Sequence, residues 1–192
     1  GCSVVLAHKM RTNTTMRYPA VFLNHGGGPM PLMGKQPELV EHMKEIRDRW
    51  LPKQKPDAMV IFSAHWESDP IRIIASEKPP MLYDYAGFPR VTYEYEYPAP
   101  GHPRLAQKIH ELLKTKDLES ELDNRRGFDH GVFIPLMIMF PEADIPVVAV
   151  SLRASLSAEV NIRIGQALAP LRSENVLFIG SGYTFHNMDS FF

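Results

Sequence analysis

The sequence has few of the features that mark secreted, nucleic-acid-binding or membrane-spanning proteins. Cys2 is its single cysteine, so no internal disulfide can form, and we expect a reducing compartment such as the cytoplasm. The formal net charge is -1 at pH 7, which supplies no basic surface for nucleic acid or an anionic membrane. The chain has no run of about 18 apolar residues, so no membrane-spanning helix is expected.

What is present suffices for one folded domain. The hydrophobic content of 44% over 192 residues is ordinary for a globular chain, and this length can bury a core without disulfides. We expect a single catalytic α/β domain over residues 16–192 and an N-terminal extension over residues 1–15. Because the chain stops shortly after His186, on Phe191-Phe192, we also expect a C-terminal portion to be missing.

Apolar segments of strand length alternate with amphipathic segments of helical periodicity. Strand-like runs occupy residues 19–24, 58–64, 71–75, 146–151 and 176–180, an apolar run covers 132–140, and helical patterns begin near Pro37 and His102 and cover 157–172. This alternation predicts an α/β fold with a mostly parallel central sheet flanked by helices. Residues 79–101 are rich in Pro, Tyr and Gly, and a connection of this length is more often functional than filler.

Three histidines lie at or just past the ends of strand-like runs. They are His25, His65 and His186. The carboxyl ends of parallel strands line one edge of a sheet, where ligands bind, and neutral imidazole is the commonest protein ligand for Zn and Fe(II). The pattern predicts a metal site with these three residues as candidate ligands, and His186 is also a candidate general base. Taken alone, His25 or His65 is also explained as a buried histidine that caps a strand, and His186 as a loop histidine with no role.

Other motifs carry weaker signals. His130 lies between Asp129 and Gly131, where the adjacent carboxylate is a candidate for fixing the histidine tautomer; a purely structural histidine is the alternative. The glycines at 26–28 lack the Gly-Lys-Ser/Thr of a phosphate-binding loop, so no cofactor-binding residues are predicted. Ser181 in Gly-Ser-Gly does not match the Gly-x-Ser-x-Gly nucleophile elbow and is discounted as a nucleophile.

Five short motifs occur in a fixed order along the chain. They are Asn24-His25-Gly26-Gly27-Gly28-Pro29, Ser63-Ala64-His65-Trp66, Gly87-Phe88-Pro89 with Tyr97-Pro98-Ala99-Pro100-Gly101, Phe128-Asp129-His130-Gly131 with Ile134-Pro135-Leu136, and Gly180-Ser181-Gly182 with His186-Asn187. In this order the chain resembles the DOPA-type extradiol dioxygenases, class III ring-cleaving enzymes related to the catalytic subunit of protocatechuate 4,5-dioxygenase. The resemblance covers residues 17–190, and its specificity comes from the five motifs together.

The resemblance implies an α/β fold of phosphorylase/hydrolase-like architecture with a non-haem Fe(II) site, in which some members carry zinc. It places His25 and His65 at metal-ligand positions, His186 at the acid/base catalyst and His130 at another active-site histidine. The third ligand of relatives, a His or Glu, comes from a C-terminal segment that would follow Phe192, and without it His186 is a candidate ligand.

The resemblance also implies the substrates. A small aromatic diol such as DOPA would react with O2 to give a ring-opened, muconic semialdehyde-type product. Neither nucleic acid nor a membrane is expected as a partner, and a homo-oligomer is left open. Two other functions remain open as well: a zinc-dependent hydrolase on the same architecture, since a histidine site with a general base also activates water, and a metal-binding protein without catalysis.

Overall fold

The computed structural model describes residues 17–183. The strands are β1 (Ala20–Asn24), β2 (Ala58–Ser68), β3 (Ile71–Ile74), β4 (Ser120–Asp123), β5 (Val147–Arg153) and β6 (Val176–Gly182). The α-helices are α1 (Pro37–Glu45), α2 (Pro103–Lys114), α3 (His130–Met139) and α4 (Ala158–Leu168). The predicted extension, residues 1–15, and His186 lie outside the described residues.

The six strands form one sheet in the order β1-β6-β2-β5-β3-β4. The pairs β1–β6, β6–β2, β2–β5 and β3–β4 are parallel, and β3 runs antiparallel to β5. The predicted α/β fold with a mostly parallel sheet is therefore confirmed. None of the helices within residues 17–183 has the length and apolar character needed to cross a bilayer.

Two local features differ from the expectation drawn from the sequence. β2 continues past His65 to Ser68, with a register shift against β5 between Ser63 and Glu67, so His65 lies inside this strand. β4 was not predicted, because its four residues Ser-Glu-Leu-Asp have little apolar character and pair only at the edge of the sheet, where burial demands less of the sequence.

Each face of the sheet has its own apolar core. Alternation along β2 sends Met59 and Ile61 to the face covered by α1 and α3, which we call the α3 face, while Ala58 and Val60 enter the core beneath α2 and α4, the α2/α4 face. Strands buried on both sides have near-continuous apolar sequences, which is why the central strands gave so clear a signal in the sequence.

Helix α3 has no polar stripe. Nine of its ten residues are buried, so the helix is packed on all sides rather than lying on the surface. The Asp129 side chain caps its N-terminus by accepting a hydrogen bond from the backbone N–H of Val132. This packing fixes the first residue of the helix, His130, at the carboxyl edge of the sheet.

Candidate metal centre

Three of the four predicted histidines converge at the carboxyl edge of the sheet. His25 follows β1, His65 lies in β2 and His130 begins α3. One ring nitrogen from each residue lies within 4.8 Å of the other two. His25 and His130 are buried, and His65 is partly exposed. The fourth histidine, His186, is beyond the part of the chain that the structure describes.

His25, directly after β1, and His65, within β2, face each other directly. Nε2 of His25 is 3.0 Å from Nε2 of His65, and the ring centroids are 4.9 Å apart. On its other side, Nδ1 of His25 is 2.9 Å from Oγ of Ser181. Both nitrogens of His25 are therefore engaged within the site.

A carboxylate distant in sequence holds His130. Asp84 Oδ1 accepts hydrogen bonds from Nδ1 of His130 at 2.8 Å and from its backbone N–H at 2.9 Å, and Oδ2 of Asp84 lies 3.8 Å from Nδ1 of His65. Burial raises the pKa of Asp84, but its hydrogen bonds and proximity to His130 outweigh burial and leave that pKa below its ordinary value. The carboxylate facing Nδ1 of His130 is Asp84, whereas the sequence suggested the adjacent Asp129.

Asp129 instead supports the backbone beneath the site. Its buried carboxylate accepts hydrogen bonds from Ser63 Oγ at 2.7 Å and from Arg126 Nη2 at 2.9 Å, in addition to its role as helix cap. The same Arg126 nitrogen donates to the carbonyl oxygen of His65 at 3.3 Å. The network joins the strand that carries His65 to the helix that begins with His130.

Gly131 is a site residue that the sequence did not single out. A Cβ at this position would lie 2.4 Å from Ser63 Oγ and 3.3 Å from Nδ1 of His25. Contacts this short require the neighbours to move, so the approach of α3 to the strands depends on glycine. The sequence shows only a glycine directly after His130. The packing of α3 against β2 is needed to see that this position excludes a larger side chain.

Two tyrosine rings flank the histidines, one from the 79–101 connection and one directly after β6. The Tyr85 ring lies 5.9 Å from that of His130, and the Tyr183 ring lies 5.6 Å from that of His25. The Tyr85 hydroxyl donates to the carbonyl of Thr92, and burial raises the pKa of Tyr85 to about 12. Tyr85 therefore presents its ring, with a neutral hydroxyl committed to the loop backbone.

The donor set fits a divalent transition metal. Imidazole nitrogens suit Zn and Fe, and a carboxylate hydrogen-bonded to the far nitrogen of a histidine is the usual outer support of a metal site. Within residues 17–183 the converging donors are the three imidazoles, with Asp84 in that outer position. Two Nε2 atoms at 3.0 Å repel when neither carries a proton, and a cation removes this repulsion.

Comparisons with known proteins show which family this chain is similar to. The family model described as the catalytic LigB subunit of aromatic ring-opening dioxygenase matches residues 18–190. Proteins named 4,5-DOPA dioxygenase extradiol from Beta vulgaris and Escherichia coli are 40% and 39% identical, over 86% and 91% of this chain. The corresponding Portulaca grandiflora protein is 45% identical over 70% of the chain.

A solved structure shows the same relationship in three dimensions. The crystal structure of an uncharacterized protein from Escherichia coli K12 aligns with a TM-score of 0.69 and 34% identity, over 90% of this chain and 63% of that one. The chain spans 61%, 62% and 50% of the Beta vulgaris, Escherichia coli and Portulaca grandiflora proteins. By its matched residues and its fold, the chain belongs to the family of catalytic subunits of aromatic ring-opening dioxygenases.

Proposed function

We propose that this chain carries the metal-binding half of an extradiol dioxygenase that opens a catechol ring with O2. The observation that carries the proposal is the convergence of three imidazole nitrogens within 4.8 Å of one another, in a chain of this family. In this proposal His25 and His65 are the metal ligands, and His130 is a catalytic residue beside them. His186 is a further candidate ligand, and Fe(II) is the working metal.

The protein's contribution to the chemistry is to hold the donors and move protons. A bound Fe(II) would supply Lewis-acid and redox chemistry toward a catechol and O2. His25 and His65 would donate their lone pairs from positions held by β1 and β2. Nδ1 of His130 is held by Asp84. Its other ring nitrogen, Nε2, would form a hydrogen bond to a substrate oxygen or exchange a proton with it.

His186 is proposed as the general base that accepts a phenolic proton of the catechol. A histidine has an ordinary pKa near neutrality, which suits proton transfer at physiological pH. As a base rather than a ligand, His186 is not needed to hold the metal, so His186→Ala should leave the metal bound and reduce kcat by roughly 10²–10⁴-fold, the usual contribution of an acid–base group. Loss of the metal in this variant would assign His186 as a ligand instead. Steady-state kinetics with a catechol measure kcat, and unchanged turnover would remove the assignment.

The proposed substrate is a small aromatic diol of the DOPA type, and the proposed product is a ring-opened semialdehyde. Two observations support an aromatic substrate: the tyrosine rings beside His25 and His130, and the names of the relatives, which include 4,5-DOPA dioxygenase extradiol. Aromatic side chains favour offset or edge-to-face contact with another ring, so Tyr85 and Tyr183 would orient the diol toward the metal.

Oxygen consumption tests this function. The protein is loaded anaerobically with Fe(II), mixed with DOPA or another catechol, and exposed to O2 while an oxygen electrode and the absorbance of a yellow ring-opened product are followed. We expect O2 uptake to match product formation one to one. Stoichiometric Fe(II) binding with neither O2 uptake nor product would overturn the dioxygenase assignment.

A zinc-dependent hydrolase is the second candidate, favoured by one observation. The converging donors within residues 17–183 are all imidazoles, and three histidines form a known catalytic zinc site. The same preparation loaded with Zn(II) distinguishes the two functions. Hydrolysis of ester or amide substrates without O2 consumption would support the hydrolase, and loss of all activity on replacing iron by zinc would support the dioxygenase.

A further inference from the structure

Helix α3 contains a carbonyl group that the helix itself cannot satisfy. In a regular α-helix the oxygen of Gly131 would accept a hydrogen bond from the N–H of residue 135, but residue 135 is proline and has no N–H. Gly131 is buried, and a buried carbonyl requires a partner. The partner is the Ser181 hydroxyl, which donates to this oxygen at 2.5 Å.

This hydrogen bond determines whether Ser181 donates to His25 or accepts from it. A serine hydroxyl has one proton to donate and two lone pairs that accept, and here the carbonyl of Gly131 takes the proton. Oγ of Ser181 also lies 2.9 Å from Nδ1 of His25. Since the hydroxyl proton is already committed, the contact with Nδ1 requires that His25 be the donor.

We infer that Ser181 is a positioning residue that fixes the tautomer of His25. With the proton held on Nδ1, the lone pair of the imidazole lies on Nε2, the nitrogen that faces His65 at 3.0 Å. A neutral histidine binds a metal only through its unprotonated nitrogen. Ser181 thereby keeps Nε2 of His25 unprotonated and able to bind a metal, without itself contacting the metal or the substrate.

The rigidity of the surroundings makes this control effective. Ser181 is 3% exposed and His25 is 1% exposed, so no bulk water competes for the Nδ1 proton. Ser181 lies in β6 and is in register with Leu23 of β1. Leu23 precedes His25 by two residues. The acceptor and the histidine are therefore held by hydrogen-bonded neighbouring strands.

The chain contains a matched serine for comparison. Ser181, Ser63 and Ser151 are in register across β6, β2 and β5, and all three are buried. Ser151 is 0% exposed, and its Oγ accepts the backbone N–H of Arg72 at 2.9 Å. Ser151→Ala thus removes a buried strand hydroxyl that supports β3 rather than a histidine.

The inference rests on the proposed metal site, so the test has one readout that needs no metal. Long-range ¹H–¹⁵N spectra of the metal-free protein, at a pH of about 8 where histidine is ordinarily neutral, report which nitrogen carries the proton. The His25 signals are assigned by their absence in His25→Gln. We expect the Nδ1–H tautomer in the wild-type protein, and a shift toward the Nε2–H tautomer in Ser181→Ala.

The second readout is Co(II) affinity, measured by titration of the visible absorption bands. Loss of an outer partner of a ligating histidine costs about 10–100-fold in metal affinity, so Ser181→Ala should raise the Kd by that factor. Ser181→Thr keeps the hydroxyl and should restore both the tautomer and the affinity. Ser151→Ala should match the wild-type protein in both.

Three results would overturn the inference: an Nε2–H tautomer of His25 in the wild-type protein, an unchanged tautomer and Kd in Ser181→Ala, or equal weakening by Ser151→Ala. If Ser181→Thr does not fold, the inference is still tested by the His25 tautomer in the wild-type protein and by the tautomer and Kd of Ser181→Ala. If the wild-type protein binds no Co(II), the proposed metal site is refuted, and the tautomer readout alone decides whether Ser181 controls His25.

Discussion

The two faces of the sheet are built from different side chains, although the same strands supply both. The buried apolar residues that form the core of the α2/α4 face are all aliphatic. The α3 face buries aromatic side chains and methionines, including Tyr97, Phe128, Phe133 and Met139, and it carries the histidines at its upper edge. One face is a uniform core, whereas the other combines a core with a polar site.

The same alternation that builds the α3 face also delivers the site. In β1, Leu23 enters this core and His25 follows two residues later; in β6, Ile179 enters it and Ser181 follows. Side chains two residues apart on a strand share a face. The polar site is thus the top layer of an apolar core, which keeps water away from its hydrogen bonds and strengthens them.

The largest expected effect comes from removing a proposed ligand on the α3 face. His25→Ala should abolish stoichiometric metal binding while the protein stays folded, because the apolar layers below the site are untouched. Metal content after Fe(II) or Zn(II) loading, with circular dichroism as the folding check, measures this. The matched control is His110→Ala on α2, where Nδ1 contacts Ser120 Oγ at 2.9 Å; it should retain full metal. Stoichiometric iron in His25→Ala would refute the ligand role.

The opposite result is expected for a deletion in the aliphatic core. Ile109 of α2 is 0% exposed in the α2/α4 face, and Ile109→Ala should lower the free energy of unfolding by about 2–5 kcal/mol through lost burial and the cavity left behind. Urea unfolding of the metal-free protein measures this loss. Co(II) affinity of the folded fraction should be unchanged, and a large change in affinity would show that the two faces are energetically coupled.

Two glycine substitutions, one on each face of the sheet, should change the free energy of unfolding by smaller amounts and in opposite directions. Gly131→Ala should cost about 1–3 kcal/mol of stability by overpacking and should weaken Co(II) binding, because its Cβ would lie 2.4 Å from Ser63 Oγ. Gly165→Ala in α4 meets no atom within 4 Å and should stabilise the protein by about 0.4–1 kcal/mol. Equal unfolding midpoints for the two variants in urea would contradict this account of Gly131.

Much of the fold was predictable because its signals are local. The continuous apolar runs of β2, β5 and β6 and the periodicity of α2 and α4 predicted a mostly parallel α/β sheet, and the structure confirms it. The short edge strand β4 gave no comparable signal. The prediction that histidines at strand ends converge also depends on local pattern, because parallel strands bring their carboxyl ends to one edge.

The partners of the histidines could not be predicted in this way. Asp84 lies 46 residues from His130, and Ser181 lies 156 residues from His25. Sequence adjacency pointed instead to Asp129, which caps α3 and binds Arg126. Ser181 was discounted because its motif does not match a nucleophile elbow, whereas the structure gives it a hydrogen-bonding position that no short motif records.

The sequence by itself determined the chemical types and the order of the site residues, together with the apolar pattern that builds the sheet, because each depends on residues close together along the chain. Tertiary structure decided which nitrogen of each histidine meets which partner. That choice depends on hydrogen-bond distances between β1, β6, α3 and the loop carrying Asp84, which only the packing of these segments establishes.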